Sequence, residues 1–203
     1  MKTYIYFSLF ILGFGVLWAA APQVMIMRPR EVVKRSNQNV REILKDRQTV
    51  DAETEAKLLE IIAGVTDFET MSQRVVEGFC QKLNKQQCEI FDQVFQQYLR
   101  VSSLKKAGRY RADRFEYISE EMKDNTAAVK TLAYYKEDKV QLDYYLEFKD
   151  EQWRIVNYVV DDIDTLRNYR KQFKRLFAKN SFDQVMERLR TRIADYQKEN
   201  QNQ

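Results

Sequence analysis

The sequence predicts an α+β domain: a four-stranded antiparallel meander flanked by N-terminal and C-terminal helices. Three observations predict it. Apolar residues recur with helical period from Arg30 to Leu99 and again from Thr165. Between Phe115 and Val160 they alternate with period two. No proline follows Pro29 and glycine is scarce, so long elements joined by short polar turns are expected.

The first helix, about Arg30 to Arg47, carries Val33, Val40, Ile43 and Leu44 on one face. The second, about Ala52 to Ala63, holds Leu58, Leu59, Ile61 and Ile62, and Gly64 fits its C-terminal stop. A third begins at Asp67 and spaces Phe68, Met71, Val75 and Phe79 for one face. Asn84, with Gln87 three residues on, reads as a capping box opening a fourth, which displays Phe91, Phe95, Tyr98 and Leu99. Strands follow at Phe115–Glu120, Ala127–Tyr135, Lys139–Phe148 and Trp153–Val160. Their spacers, Asp124-Asn125, Lys136-Glu137-Asp138 and Lys149-Asp150-Glu151, are turn-like. Such tight connections imply a meander. From Thr165 a helix shows Leu166, Tyr169, Phe173, Leu176 and Phe177. After a break at Asn180-Ser181, Val185, Met186, Leu189 and Ile193 continue on a last helix that Ser181 can cap.

Composition narrows the chemistry. The chain of 203 residues has no histidine, which removes the commonest general base, the Ser-His and Cys-His nucleophile pairs and the commonest metal ligand. Two cysteines alone do not make a tetrahedral zinc site. Beyond the first residues the glycines are Gly64, Gly78 and Gly108, too few for a phosphate-cradling loop. A binding protein without a cofactor is expected rather than an enzyme. The formal net charge of +4 is mild and spread along the chain, which implies no nucleic-acid partner.

Residues 1–21 are expected to be a secretory signal peptide: Lys2, an apolar run from Tyr4, and Ala19-Ala20-Ala21. A cut after Ala19 is least strained, because Pro22 blocks a cut after Ala21 and Trp18 fits poorly for one after Ala20. The alternative is a retained inner-membrane anchor, since the uncharged run is long enough to span and Arg28, Arg30, Lys34 and Arg35 follow it. Residues 22–203 then form one domain.

The residues carry a family resemblance. Asp67-Phe68-Glu69-Thr70-Met71 through Gln86-Gln87-Cys88-Glu89-Ile90-Phe91, then Phe95 and Leu99, resembles the helical half of the MlaC family of periplasmic phospholipid-binding proteins, also called toluene-tolerance proteins. Val140-Gln141-Leu142-Asp143-Tyr144-Tyr145-Leu146 is similar to that family's V-x-V-D-Y-x-L strand. Trp153-Arg154-Ile155-Val156-Asn157 is similar to W-x-V-Y-D, and Asn168-Tyr169-Arg170-Lys171-Gln172-Phe173 to N-Y-R-x-Q-F. The ordered set, spanning nearly the whole mature chain, carries the resemblance. The chain departs from the pattern at Asn157, at Ser103, and at Asp162-Ile163-Asp164, where Gly-Val-Ser is usual.

The resemblance implies an NTF-like sheet and helices enclosing an apolar pocket for a diacyl phospholipid. It further implies a periplasmic shuttle between an outer-membrane lipoprotein–porin complex and an inner-membrane ABC transporter complex. Physics supplies the need: each CH₂ exposed to water costs about 0.8 kcal/mol, so a sixteen-carbon tail costs roughly 12 kcal/mol and must be enclosed almost whole. Pocket contacts are expected from Phe79, Phe91, Phe95, Leu99, Tyr110, Val129, Thr131, Leu142, Tyr144, Ile155, Ile163, Tyr169 and Phe173, the alternative for any single one being ordinary core packing. Arg170 and Lys174, in a basic run with Arg167, Lys171, Arg175 and Lys179, are candidates for headgroup or partner contact, the alternative being a solvated helix face. Cys80 and Cys88 flank a helix–turn–helix corner. An oxidising compartment permits a disulfide there, and two reduced, buried thiols are the alternative, with Cys88 packed on Leu83.

Overall fold

The computed structural model describes residues 26–45, 47, 50–109 and 112–201, without the side chains of residues 106–109 and 199–201. The expected leader, residues 1–21, and Tyr110 lie outside the described residues. Four helices come first: α1 (Pro29–Leu44), α2 (Ala52–Val65), α3 (Phe68–Cys80) and α4 (Lys85–Arg109). The strands are β1 (Arg114–Lys123), β2 (Thr126–Tyr135), β3 (Asp138–Lys149), β4 (Gln152–Val160) and β5 (Ile163–Asp164). Helices α5 (Thr165–Phe177) and α6 (Phe182–Gln201) close the chain. The α+β fold is therefore as expected.

Local chemistry explains most boundaries. Asn84 and Gln87 exchange the two capping-box hydrogen bonds, at 2.8 and 3.1 Å, and Ser181 with Gln184 repeats the device at α6. Asp51 and Asp67 cap α2 and α3 through the backbone N–H groups of Thr54 and Thr70, each at 2.8 Å. Helix α2 runs through Gly64 to Val65 instead of stopping before it. The Arg154 guanidinium, 2.5 Å from the Gly64 carbonyl, satisfies that helix end.

The sheet is antiparallel in the order β1-β2-β3-β4-β5, with five strands where four were expected. The extra strand arises at Asp161-Asp162, between the expected fourth strand and the helix expected from Thr165. Both residues adopt positive φ (45° and 62°), the conformation of a two-residue hairpin turn, so Ile163 folds back to pair with Val160. Asp150 and Glu151 turn β3 into β4 the same way.

Two cores result. One lies among the helices and holds Phe91, Phe95, Leu58, Val75, Phe173 and Met186. The other lies between α1 and the sheet and holds Val32, Val33, Val129, Leu146 and Trp153. Helix α1 is fixed to the sheet at its start, where the inward-turned Glu120 accepts from the Arg30 backbone N–H at 2.9 Å and from Arg28 at 2.7 Å. A carboxylate in a helix's first turn is favoured by the orphan amides it meets there.

Candidate functional site

The inner face of the sheet is uneven. From Ala127 to Val129 it is filled by α1; towards the far ends of β2, β3 and β4 it is not. A cavity of about 170 Å³ opens there between the sheet, α1 and the end of α2. Ala133, Val140, Leu142, Tyr144, Ile155, Tyr158 and Val160 form its floor, Ser36, Asn37 and Val40 line it from α1, and Ile62 and Val65 from α2 with Thr66 just beyond its end. The strand register explains the floor, since Thr131 opposes Leu142 and Ala133 opposes Val140, which puts their side chains on one face.

Several polar groups of this wall are hydrogen-bonded. Tyr144 donates to the Asn37 side-chain oxygen at 3.0 Å, the Asn37 amide donates to Tyr117 at 3.2 Å, and the Tyr158 and Thr66 hydroxyls bond at 2.8 Å. Burial pushes the Tyr158 phenol up to about 12 and the Tyr144 phenol higher still, so both stay protonated near neutral pH. The described lining contains no Asp, Glu, Lys, Arg or Cys. The wall is uncharged, and what it offers is apolar contact with a few fixed hydroxyl and amide groups.

The expected site residues divide into several groups. Leu142, Tyr144 and Ile155 line the cavity. Val129 and Thr131 share their face but are sealed, Val129 beneath α1 and Thr131 with its hydroxyl on the Leu142 carbonyl at 2.5 Å. Ile163 is not in the wall; it is 59% exposed, beside Val160 on the two-residue edge strand. Phe79, Phe91, Phe95, Leu99, Tyr169 and Phe173 belong to the helical core, where the Phe173 ring lies 5.0 Å from both Phe91 and Phe95. Their helical spacing is that of bundle packing, which sequence alone does not separate from a pocket wall. Arg170 and Lys174 are exposed on α5, a helix that contributes nothing to the described cavity wall. Cys80 and Cys88 are joined in a disulfide with Cα atoms 5.3 Å apart.

Sequence reasoning missed Asn37, Val40, Ile62, Ala133, Tyr158 and Val160. Asn37 had a usable signal: it falls in the apolar stripe Val33, Val40, Leu44, where a polar residue needs a buried partner. Ala133 had none, since a small residue in a strand is equally suited to packing. Among the described residues, no group of three or more Cys, Asp or Glu converges as metal ligands would.

A second concavity, of about 830 Å³, runs between α5 and α6. Its floor is Tyr98, Tyr169, Phe173, Leu176, Val185 and Leu189, and its rim includes Arg175, Lys179, Arg188 and Arg192.

Comparison with known proteins bears on family and fold. A family model described as MlaC protein matches residues 34–191. Among solved structures, the chain is similar to a phospholipid-binding protein from Ralstonia solanacearum, solved in complex with a phospholipid. Identity is 17%, the match covers 84% of this chain and 99% of that one, and the TM-score is 0.71. Among curated proteins none matches.

Proposed function

The chain belongs to the MlaC family, and from that membership and its cavity we propose that it is a non-enzymatic, periplasmic phospholipid-binding protein. The observation that carries the reading is an uncharged cavity between sheet and helices in a fold shared with a protein solved in complex with a phospholipid. Acyl chains suit such a wall, because any side chain ionised within it would have to be desolvated against hydrocarbon. Its volume of about 170 Å³ is below the roughly 300–1,000 Å³ usual for ligand sites. A diacyl lipid therefore requires α1 and α2 to move off the open end of the sheet, while Val32 and Val33 hold the packed end.

The disulfide between Cys80 and Cys88 fits an oxidising compartment, and among the described residues no helix is long and apolar enough to cross a membrane. In this reading the leader is cut near Ala19–Ala20, and the protein shuttles lipid between the outer-membrane lipoprotein–porin complex and the inner-membrane ABC transporter complex. The small cavity also supports a second reading, an envelope interaction protein that carries no lipid.

Mass spectrometry of an organic extract of the purified full-length protein separates the two. Diacyl phospholipid at a substantial fraction of one per protein is expected. Its absence, under conditions in which a known lipid carrier keeps its ligand, overturns the carrier reading and leaves the second.

A further inference from the structure

We propose that the groove between α5 and α6 is a docking site for an acidic, amphipathic segment of a protein partner, separate from the cavity. Charge segregation is the first support. Residues 165–203 hold ten Lys and Arg against four Asp and Glu, a net of +6, while the remainder of this +4 chain is at −2. The whole positive excess of the molecule therefore sits on its two C-terminal helices. Helix α5 contains no acidic residue. Arg167, Arg170, Lys171, Lys174 and Arg175, with Lys179 just after it, are all exposed. None forms an ion pair among the described residues. A field of one sign on an otherwise mildly acidic body attracts and orients an anionic partner.

Shape is the second support, and it selects the class of partner. A bilayer presents a flat anionic sheet, and proteins that bind it strongly bury exposed apolar side chains as well. Among the described residues, the large exposed apolar side chains are Ile26, Met27, Ile118, Met122, Tyr135, Tyr145 and Ile163, and none lies on α5 or α6. The groove is concave instead, with an apolar floor (Tyr98, Leu176, Leu189) under a rim of Arg175, Lys179, Arg188 and Arg192. That is the arrangement that receives an amphipathic helix, apolar face down and charged flanks out. Guanidinium groups on both walls offer two-pronged hydrogen bonds to carboxylates. Glu187 and Asp195 also stand on the rim. They would repel a uniform anionic surface but set the register of a segment with patterned charge.

The test places a photocrosslinking residue at Thr191, on the groove's rim, in the full-length protein in the cells that make it. Adducts are expected on a protein segment in which acidic residues outnumber basic ones. Reversing charge with Arg175→Glu and Arg188→Glu together should reduce that adduct by at least about tenfold. The control pair Lys123→Glu and Lys139→Glu, with the same change in net charge, should leave it intact. Both double variants should keep the parent's thermal midpoint and lipid content, because these side chains are exposed. Adducts with lipid alone, with a neutral or basic segment, adducts that survive groove reversal, or no protein adduct would each overturn the proposal. Loss of lipid from the groove variant alone would overturn its separation from the cavity. A protein that carries no lipid yet gives the acidic adduct would leave this inference standing while removing the carrier reading.

Discussion

The two ends of the sheet's inner face are built alike and used differently. Along β2, every second residue from Ala127 to Ala133 faces the helices, and β3 answers with Val140, Leu142, Tyr144 and Leu146. At one end Val129, Leu146 and Trp153 lie under Val32 and Val33 with almost no accessible surface. At the other, Ala133, Val140, Leu142 and Val160 line a cavity. Tyr144 and Ile155 belong to both and mark the border, and Asn37 holds α1 at that point through Tyr144 and Tyr117. Strand alternation thus sets which residues face inward. Whether an inward residue becomes core or wall depends on where α1 is pinned, by Glu120 at its start and Asn37 at its middle.

The difference can be broken most severely at the packed end. Truncating Trp153 to alanine should cost about 3–5 kcal/mol, because its neighbours in the sealed layer have nothing to refill the space. Urea unfolding reads this directly. A cost under about 1 kcal/mol would mean that the end is as loose as the other.

The disulfide sharpens the comparison from outside both ends. Replacing Cys80 and Cys88 with serine should cost about 2–3 kcal/mol by releasing a short loop in the unfolded chain. Lipid content should not change, since both cysteines pack on the helical core. A melt of the double variant, with lipid quantified alongside, checks both halves.

Asp67 anchors the α2–α3 corner to β4, with its backbone N–H on the Ile155 carbonyl at 2.9 Å. Partial burial opposes its charge, but hydrogen bonds from the Thr70 N–H and hydroxyl outweigh that, aided by Lys149 and Arg154, and its carboxyl titrates below the ordinary range. A depressed carboxylate stabilises the fold above its unfolded pKa and loses that contribution as pH falls through the folded value. Asp67→Ala should therefore cost about 1 kcal/mol at neutral pH, with the gap to the parent closing below about pH 4. Paired denaturant melts at pH 7 and pH 3 test this, and a gap that widens on acidification contradicts it.

Much of the fold was legible in the sequence. The caps at Asn84 and Ser181, the helix start at Asp67 and the turn at Asp150-Glu151 are local chemistry, decided by residues within a few positions of each other. The fifth strand was less legible, because a hairpin turn with two aspartates at positive φ lacks the glycine that normally announces it. The cavity wall was legible in part. Leu142, Tyr144 and Ile155 followed from alternation, whereas Phe91, Phe95 and Phe173 have the same apolar character and ended in the helical core. What separates the two groups is the placement of α1 and α5 over the sheet and α4, which is non-local. Arg170 and Lys174 lie exposed on α5, and nothing local told that this helix stays out of the described cavity wall.

The smallest expected effect on stability carries the largest on function. Ala133→Phe fills the open end, so its melting midpoint should stay within a few degrees of the parent's, whereas Val129→Trp at the sealed end should lose roughly 1–3 kcal/mol through overpacking. Native mass spectrometry of the parent and Ala133→Phe, purified side by side, tests the central claim most directly. One phospholipid on the parent and none on a folded Ala133→Phe variant is the predicted result. Equal lipid on both proteins, or none on either, would contradict it.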